Sequence, residues 1–575
     1  MSCVVDAHTV SAQWLAAFAQ SVSLGDTEAV AATLLPSGWL RDVLTFVWDT
    51  RSLQGRQAIV KYLVEAGRLS SARITNITLE KDPYYTPRDS FTSTGQKVGV
   101  ETGFTYETRH AFCRGYVHLR QTAGGSWLAL TLAMIALDLK AHPEPRDVAA
   151  NWEATGRTWG QLEVERRARI ESDPDVLIIG AGQNGVSVAA RFRQMDIPAL
   201  IIDKNARVGD NWRKRYESLA LHTPDFYSSF LYQSFPSHWP LYAPKDIVGD
   251  WLETYATMQR LTVWTSSTFA EPPQYDATCR RWNVVVDRAG TRVTLHPKHI
   301  VLATGTLGAP YVPTVPGRDV YPGRVLHAAE YSVPAPFVGK RVVVIGAGNS
   351  AVDICEDLVR AGAAGVTMVQ RSHSVVVARE SVTRDMARNW LADEPVGVGD
   401  FKFAARPLGF LKQLNQSMQD VLWERERELY EKLRKGGVAL SLGPDGGGQL
   451  ITVFERYGGY WLDKGAADLI ADGRIQVKHG ASPTSFTPDG LRFDDGTELL
   501  ADVVIFATGY GSIRDVYADI FGKDVVDELC DGWGLDAEGE LKGSYRPTGH
   551  PALWYATGGF YNCRFMTKQL VSTGA

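Results

Sequence analysis

An α/β protein with two Rossmann-like dinucleotide-binding domains, preceded by an α+β cone-shaped domain, is the fold class this sequence predicts. Three observations carry it. An apolar strand, a glycine-rich turn and a helix occur in that order twice, in "DVLIIGAGQNGVSV" and in "KRVVVIGAGNSAVDICEDL". Each unit runs into another apolar strand, "ALIIDK" and "GVTMVQRS", so both read as βαβ units of a parallel sheet covered on both faces. The roughly 165 residues ahead of them show helical periodicity followed by candidate strands, the order of an α+β unit.

Taken in order, "VSAQWLAAFAQSVSLGDTEAVAATL" spaces its apolar residues as a helix does. "GWLRDVLTFVWDTRSLQGRQAIVKYLVEAG" leads into another helix-like segment, with Trp39, Phe46 and Trp48 as plain core or as the wall of an apolar pocket. "SARITNITLE", "VGVETGFTYET", "AFCRGYVHLRQT" and "SWLALTLAMIALDL" are the strand candidates. The polar, proline-punctuated stretch that follows reads as a connector. The expected domains are 1–165 with the linker; 166–335, the first dinucleotide domain; 336–500, the second, with a helical insertion at 380–460; and 501–575, a return to the first.

A chain of 575 residues exceeds one hydrophobic core. Its net charge of −5, from 60 basic and 65 acidic residues with no basic cluster, argues against a nucleic-acid partner. Cys3, Cys113, Cys279, Cys355, Cys530 and Cys563 include no C-x-x-C, which fits reduced intracellular thiols; neither a disulfide framework nor a metal site is expected. The first residues lack the pattern of a signal peptide and no apolar run approaches a membrane span, so a cytoplasmic location is expected and no membrane partner. A homodimer is left open.

In the first turn Gly180 permits the tight bend, Gly182 lets a pyrophosphate approach the backbone and Gly185 lets helix pack on strand. The helix opening at Gln183 and Asn184 offers N–H groups and partial positive charge. Asp203, followed by Lys204, ends the next strand, where a carboxylate accepts hydrogen bonds from a ribose diol. The second turn has Gly346, Gly348, Asn349 and Ser350, with Ala351 in the third glycine's place. Its strand ends in Gln370, Arg371 and Ser372; an arginine there pairs with a ribose 2′-phosphate that a carboxylate would repel, so this site suits NADPH. Two strands end in Ala-Thr-Gly, with Thr304 and Gly305 and with Thr508 and Gly509, and resemble those at which the chain of two-dinucleotide flavoproteins crosses between its cofactor domains.

Together these residues resemble the flavin-containing monooxygenase family, including its YUCCA-type and Baeyer–Villiger-related branches. "RVGDNWRKRYESLALHTP" is similar to the family's G-G-x-W and L-x-L-H-T-P segments, with Asp210 for the second glycine. Tyr321, Gly323, His327 and Tyr331 match F-x-G-x-x-x-H-x-x-x-Y/F, departing only in Tyr for Phe. The resemblance covers roughly residues 173–575; residues 1–165 resemble, more weakly, a SnoaL or nuclear-transport-factor domain. It implies that FAD sits at the first turn and NADPH at the second. NADPH would reduce the flavin, O₂ would give a C4a-hydroperoxide, and one oxygen atom would pass to a small organic substrate. Asn211, Trp212 and His222 would line the flavin, and His327, Tyr331 and Asn211 are the catalytic candidates. N- or S-oxygenation, Baeyer–Villiger insertion and oxidative decarboxylation of a 2-oxo acid all stay open. The alternatives are a pyridine nucleotide–disulfide-reductase-like oxidoreductase, which the absence of a cysteine pair disfavours, and a non-catalytic ligand- or partner-binding flavoprotein.

Overall fold

The computed structural model describes residues 6–91, 97–145 and 156–574. Cys3 and the middle of the predicted connector lie outside the described residues. The N-terminal unit is one seven-stranded sheet with helices Ala7–Leu24, Thr27–Ala32 and Arg56–Val64. Trp14, Phe18, Tyr62, Phe104 and Leu132 fill the space between helices and sheet. Two strands, Leu34–Val43 and Thr50–Gln54, occupy the stretch read from sequence only as leading into a helix. The residues from Trp39 to Val43 are all buried, because helices cover one face and the rest of the chain covers the other. The alternation that announces a half-buried strand is therefore missing.

The first glycine turn belongs to a five-stranded, all-parallel sheet. Its order is Thr262–Trp264, Ala199–Ile202, Val176–Ile179, His299–Leu302, Leu553–Tyr555. The second belongs to another parallel sheet, ordered Arg324–His327, Val503–Phe506, Arg341–Ile345, Gly365–Gln370, Gln476–His479. Two strands thus sit one sheet away from the expected division: 324–327 and 503–506 both pair in the second sheet, so the chain returns to the first only after Phe506. The helices between 379 and 456 form no core of their own. Phe403, Leu408, Ile451 and Phe454 join the core under the first sheet, while Tyr430 and Leu433 join that of the second. Within the predicted connector, Trp159–Ser172 is a helix opened by a Thr158–Gln161 capping box.

The outer face of the N-terminal sheet docks on this body. Val43, Tyr85, Tyr116 and Ile135 pack on Val398, Phe401 and Ala405. Arg41 pairs with Glu540 at 2.7 Å with both side chains buried, Asp49 takes Arg546 at 2.8 Å, and Arg51 takes Glu538. Trp39, Phe46 and Trp48 do not share a pocket. Trp39 lies against Gly409 of the body, Phe46 meets Tyr62 edge-on, and Trp48 is half exposed beside His110.

Candidate functional site

Both glycine turns sit at the carboxyl ends of parallel strands and open a helix, Gln183–Gln194 in one case and Asn349–Ala361 in the other. Gly182 and Gly348 are the N-cap residues and neither helix start has a side-chain cap. Their first N–H groups are thus left for a ligand. A Cβ on Gly182 would meet only the Asn211 amide nitrogen, at 3.3 Å, and one on Gly348 only the Tyr460 carbonyl, at 4.0 Å. Each turn therefore has room beside its middle glycine. The flanking glycines have none: a Cβ on Gly180 would fall 2.7 Å from the Ala303 carbonyl oxygen, and one on Gly346 2.3 Å from that of Ala507. Each turn is thus held against an Ala-Thr-Gly strand end.

Around the first turn, Asp203 accepts from the Ala181 N–H at 2.7 Å and from both nitrogens of Asn205. The carboxylate expected to meet a ribose braces the turn as well. Lys204 and Asn211 are exposed, Gln183 is half-buried, and Thr304 hydrogen-bonds the Tyr517 hydroxyl at 2.7 Å beside an unobstructed Gly305. Buried Asn184 donates to the Gly558 carbonyl at 2.9 Å and accepts from the Tyr545 hydroxyl at 2.6 Å. Gly558 closes a third Ala-Thr-Gly, "YATGG", after the last strand of this sheet; the signal used for the other two would have found it. Trp212 packs against both cores, and its buried indole N–H has no protein partner. An orphaned donor beside an open cradle fits a polar ligand there.

Around the second turn, Ala351 is buried, Ser350 half-buried, and Asn349 accepts from the Leu462 N–H at 3.2 Å. Arg371 and Ser372 are exposed at the strand end, and Arg371 has no ion pair among the described residues. His222 was expected to line the flavin. Burial pushes its pKa down, and the charges felt there come from both sides of the interface, Arg215 from the first and Asp353, Lys464 and Arg379 from the second.

Two catalytic candidates bond their polar atoms to protein groups. His327 is buried; its Nδ1 accepts from the Ala329 N–H at 3.0 Å, so Nε2 carries the proton and donates to the Gly509 carbonyl at 3.0 Å. Burial also pushes its pKa down, which keeps the imidazole neutral. Tyr331 is buried, stacks on Phe337 and turns its hydroxyl to Asp357 at 3.4 Å. Both residues spend their polar atoms inside the protein, and His327 fixes the second Ala-Thr-Gly, where Thr508 donates to the Tyr311 carbonyl. The motif's spacing revealed the residues but not which way their polar ends point.

Two parallel sheets, each presenting a phosphate-sized cradle, define a two-dinucleotide oxidoreductase. A family model described as pyridine nucleotide-disulphide oxidoreductase matches residues 177–387. The chain is 28% identical over 408 residues to the rice protein named indole-3-pyruvate monooxygenase YUCCA1, covering 70% of this chain and 89% of that one. A second rice protein, named indole-3-pyruvate monooxygenase YUCCA8, is 29% identical over 416 residues, 69% of this chain and 88% of that one. In fold this chain is similar to cyclohexanone monooxygenase in an open form, at TM-score 0.50 and 17% identity over 70% of this chain and 87% of that one. It is equally similar to an oxidised steroid monooxygenase bound to NADP, at TM-score 0.50 and 17% identity over 70% and 84%. The chain thus resembles flavin-dependent monooxygenases in sequence and in fold. The five described cysteines are free thiols, and burial pushes that of Cys563 up to about 11.

Proposed function

We propose that FAD occupies the first cradle and NADPH the second, and that the chain transfers one atom of O₂ to a small organic substrate. The observation that carries this reading is the opposite charge closing two otherwise matched cradles, Asp203 at one and unpaired, exposed Arg371 at the other. The isoalloxazine supplies the redox and oxygen chemistry when bound. The chain's residues have other tasks. The Gln183–Gln194 helix and Asn211 hold the first dinucleotide, with Trp212 offering its free N–H. The Asn349–Ala361 helix and Arg371 hold the second, and His327 fixes the Gly509 strand end between them. The relatives' printed names make an aromatic 2-oxo acid the first substrate to try. The N-terminal domain, docked through buried ion pairs, serves the body rather than acting alone; removing residues 1–165 should impair it, and a fully active remainder would refute that role.

The test is rapid mixing of NADPH-reduced enzyme with aerated buffer. A flavin absorbance transient distinct from the oxidised and reduced spectra, decaying faster with substrate, is expected. Reoxidation in a single phase with no such transient sinks the proposal.

A further inference from the structure

Laid strand for strand, the two parallel sheets differ at one corner. In the first, Ile202, the residue before Asp203, pairs with Trp264 of the neighbouring edge strand, and Trp264 is buried and uncharged. In the second, Gln370, the residue before Arg371, pairs with His479, the last residue of the edge strand Gln476–His479. The Gly480 N–H donates to the Gln370 carbonyl at 2.8 Å, which holds the two strand ends level. His479 is exposed, and its ring meets that of exposed His373 edge-on, with centroids 5.7 Å apart. His373 stands two residues beyond Arg371. Where the first sheet closes with one carboxylate, the second gathers a guanidinium and two imidazoles.

Among the described residues no carboxylate pairs with any of the three. On the small sheet that follows the edge strand, Asp495 is taken by Lys478 at 2.6 Å, Asp494 by the Ser482 N–H at 3.0 Å, and Glu498 by Arg492 at 2.7 Å. On the other side Gln370 accepts from the Ala439 N–H at 2.8 Å, and the helix ahead of Ala439 ends in the cations Arg434 and Lys435. Asp472 and Arg474 precede the start of the edge strand, at its far end. Two imidazoles in contact repel when both carry a proton, so full charging of this corner needs an anion beside them. A phosphate monoester, with about 1.5 to 2 negative charges near neutrality, supplies one. Histidine changes its own charge between about pH 5 and 8.

We propose that His373 and His479 complete the 2′-phosphate site begun by Arg371, and that their protonation sets how strongly the second cradle prefers a 2′-phosphorylated dinucleotide. This rests on the NADPH reading of that cradle and adds its regulation. Arg371 holds the anion throughout, because a guanidinium stays charged. The imidazoles add their charge only when protonated. Discrimination is therefore full on the acid side of the histidine range and falls as pH rises through it, and binding of the phosphate draws protons from solution by the same linkage.

The test measures binding of 2′,5′-ADP and of 5′-AMP to the flavin-loaded full chain by calorimetry, at pH 6.5 and 8.5 and in buffers of different ionisation enthalpy. Wild type should prefer 2′,5′-ADP at both pH values, and the preference should shrink about tenfold between them, the scale of one charge-assisted hydrogen bond. Proton uptake should accompany 2′,5′-ADP and not 5′-AMP. His479→Gln and His373→Gln should each flatten the pH dependence and lower the uptake, with 5′-AMP affinity and Tm unchanged. A wild-type preference equal at both pH values, or a pH dependence surviving in both variants, overturns the proposal. So does equal loss of both ligands in the variants, the mark of a merely structural role. Equal binding of the two ligands by wild type at either pH would instead overturn the NADPH reading of the second cradle, so the two failures are distinguishable.

Discussion

The two glycine turns look alike in sequence and differ in how closely the protein surrounds them. In the first, a Cβ at the third glycine, Gly185, would lie 1.9 Å from the Gly180 carbonyl oxygen, so helix and strand touch backbone to backbone. In the second the same place holds Ala351, whose methyl is already buried there. The first turn is also gripped from outside. Asp203 braces Ala181, Asn184 is held by Gly558 and Tyr545, and the segment carrying Tyr545 is tied by Arg41, Asp49 and Arg51 to the N-terminal domain. The difference teaches that one motif can be held tightly by its surroundings at one turn and more loosely at the other.

The sharpest way to break this contrast is Gly185→Val. With backbone at 1.9 Å there is nothing flexible to yield, so the purified protein should lose bound flavin or fail to fold; a yellow, stable variant would overturn the account of a tight first turn. Arg41→Met comes next. It strands Glu540, whose side chain is only 2% exposed, and should cost about 3–5 kcal/mol, read as a fall in Tm with faster flavin loss and unchanged NADPH affinity. Arg371→Asp acts on the other turn, with a loss of about 1.5–3 kcal/mol in NADPH binding, seen as a raised KM for NADPH against an unchanged one for NADH. The smallest effect should be Ala351→Gly, about 1 kcal/mol from helix propensity, with both cofactors still bound. A larger loss there would show that the second helix depends on its methyl contact.

Much of this contrast is legible in the chain. Glycines at forced backbone positions, apolar strands and a charge at a strand end all write a physical requirement into adjacent residues. What adjacency cannot show is pairing between distant segments. Strand 503–506 reads as part of the first domain because Ala-Thr-Gly looks the same in either sheet, and 324–327 because it precedes the second glycine turn; only their pairing with each other and with Val342–Ile345 places both in the second sheet. His222 carries no sign in sequence that Asp353 and Lys464 stand beside it. The strand Leu34–Val43 hid because burial on both faces removes its alternation.

One hairpin has a thermodynamic consequence. Leu535 and Leu541 bridge its arms; Glu538 and Glu540 reach back to the N-terminal domain, and Tyr545, just beyond, reaches forward to Asn184. If filling the first turn stiffens Tyr545, reciprocity requires that docking of the N-terminal domain tighten by the same factor. The two ends then share one ledger: a protease attacking the N-terminal domain reads the occupancy of a site it never touches, and protection against cutting should rise and fall with the amount of flavin bound.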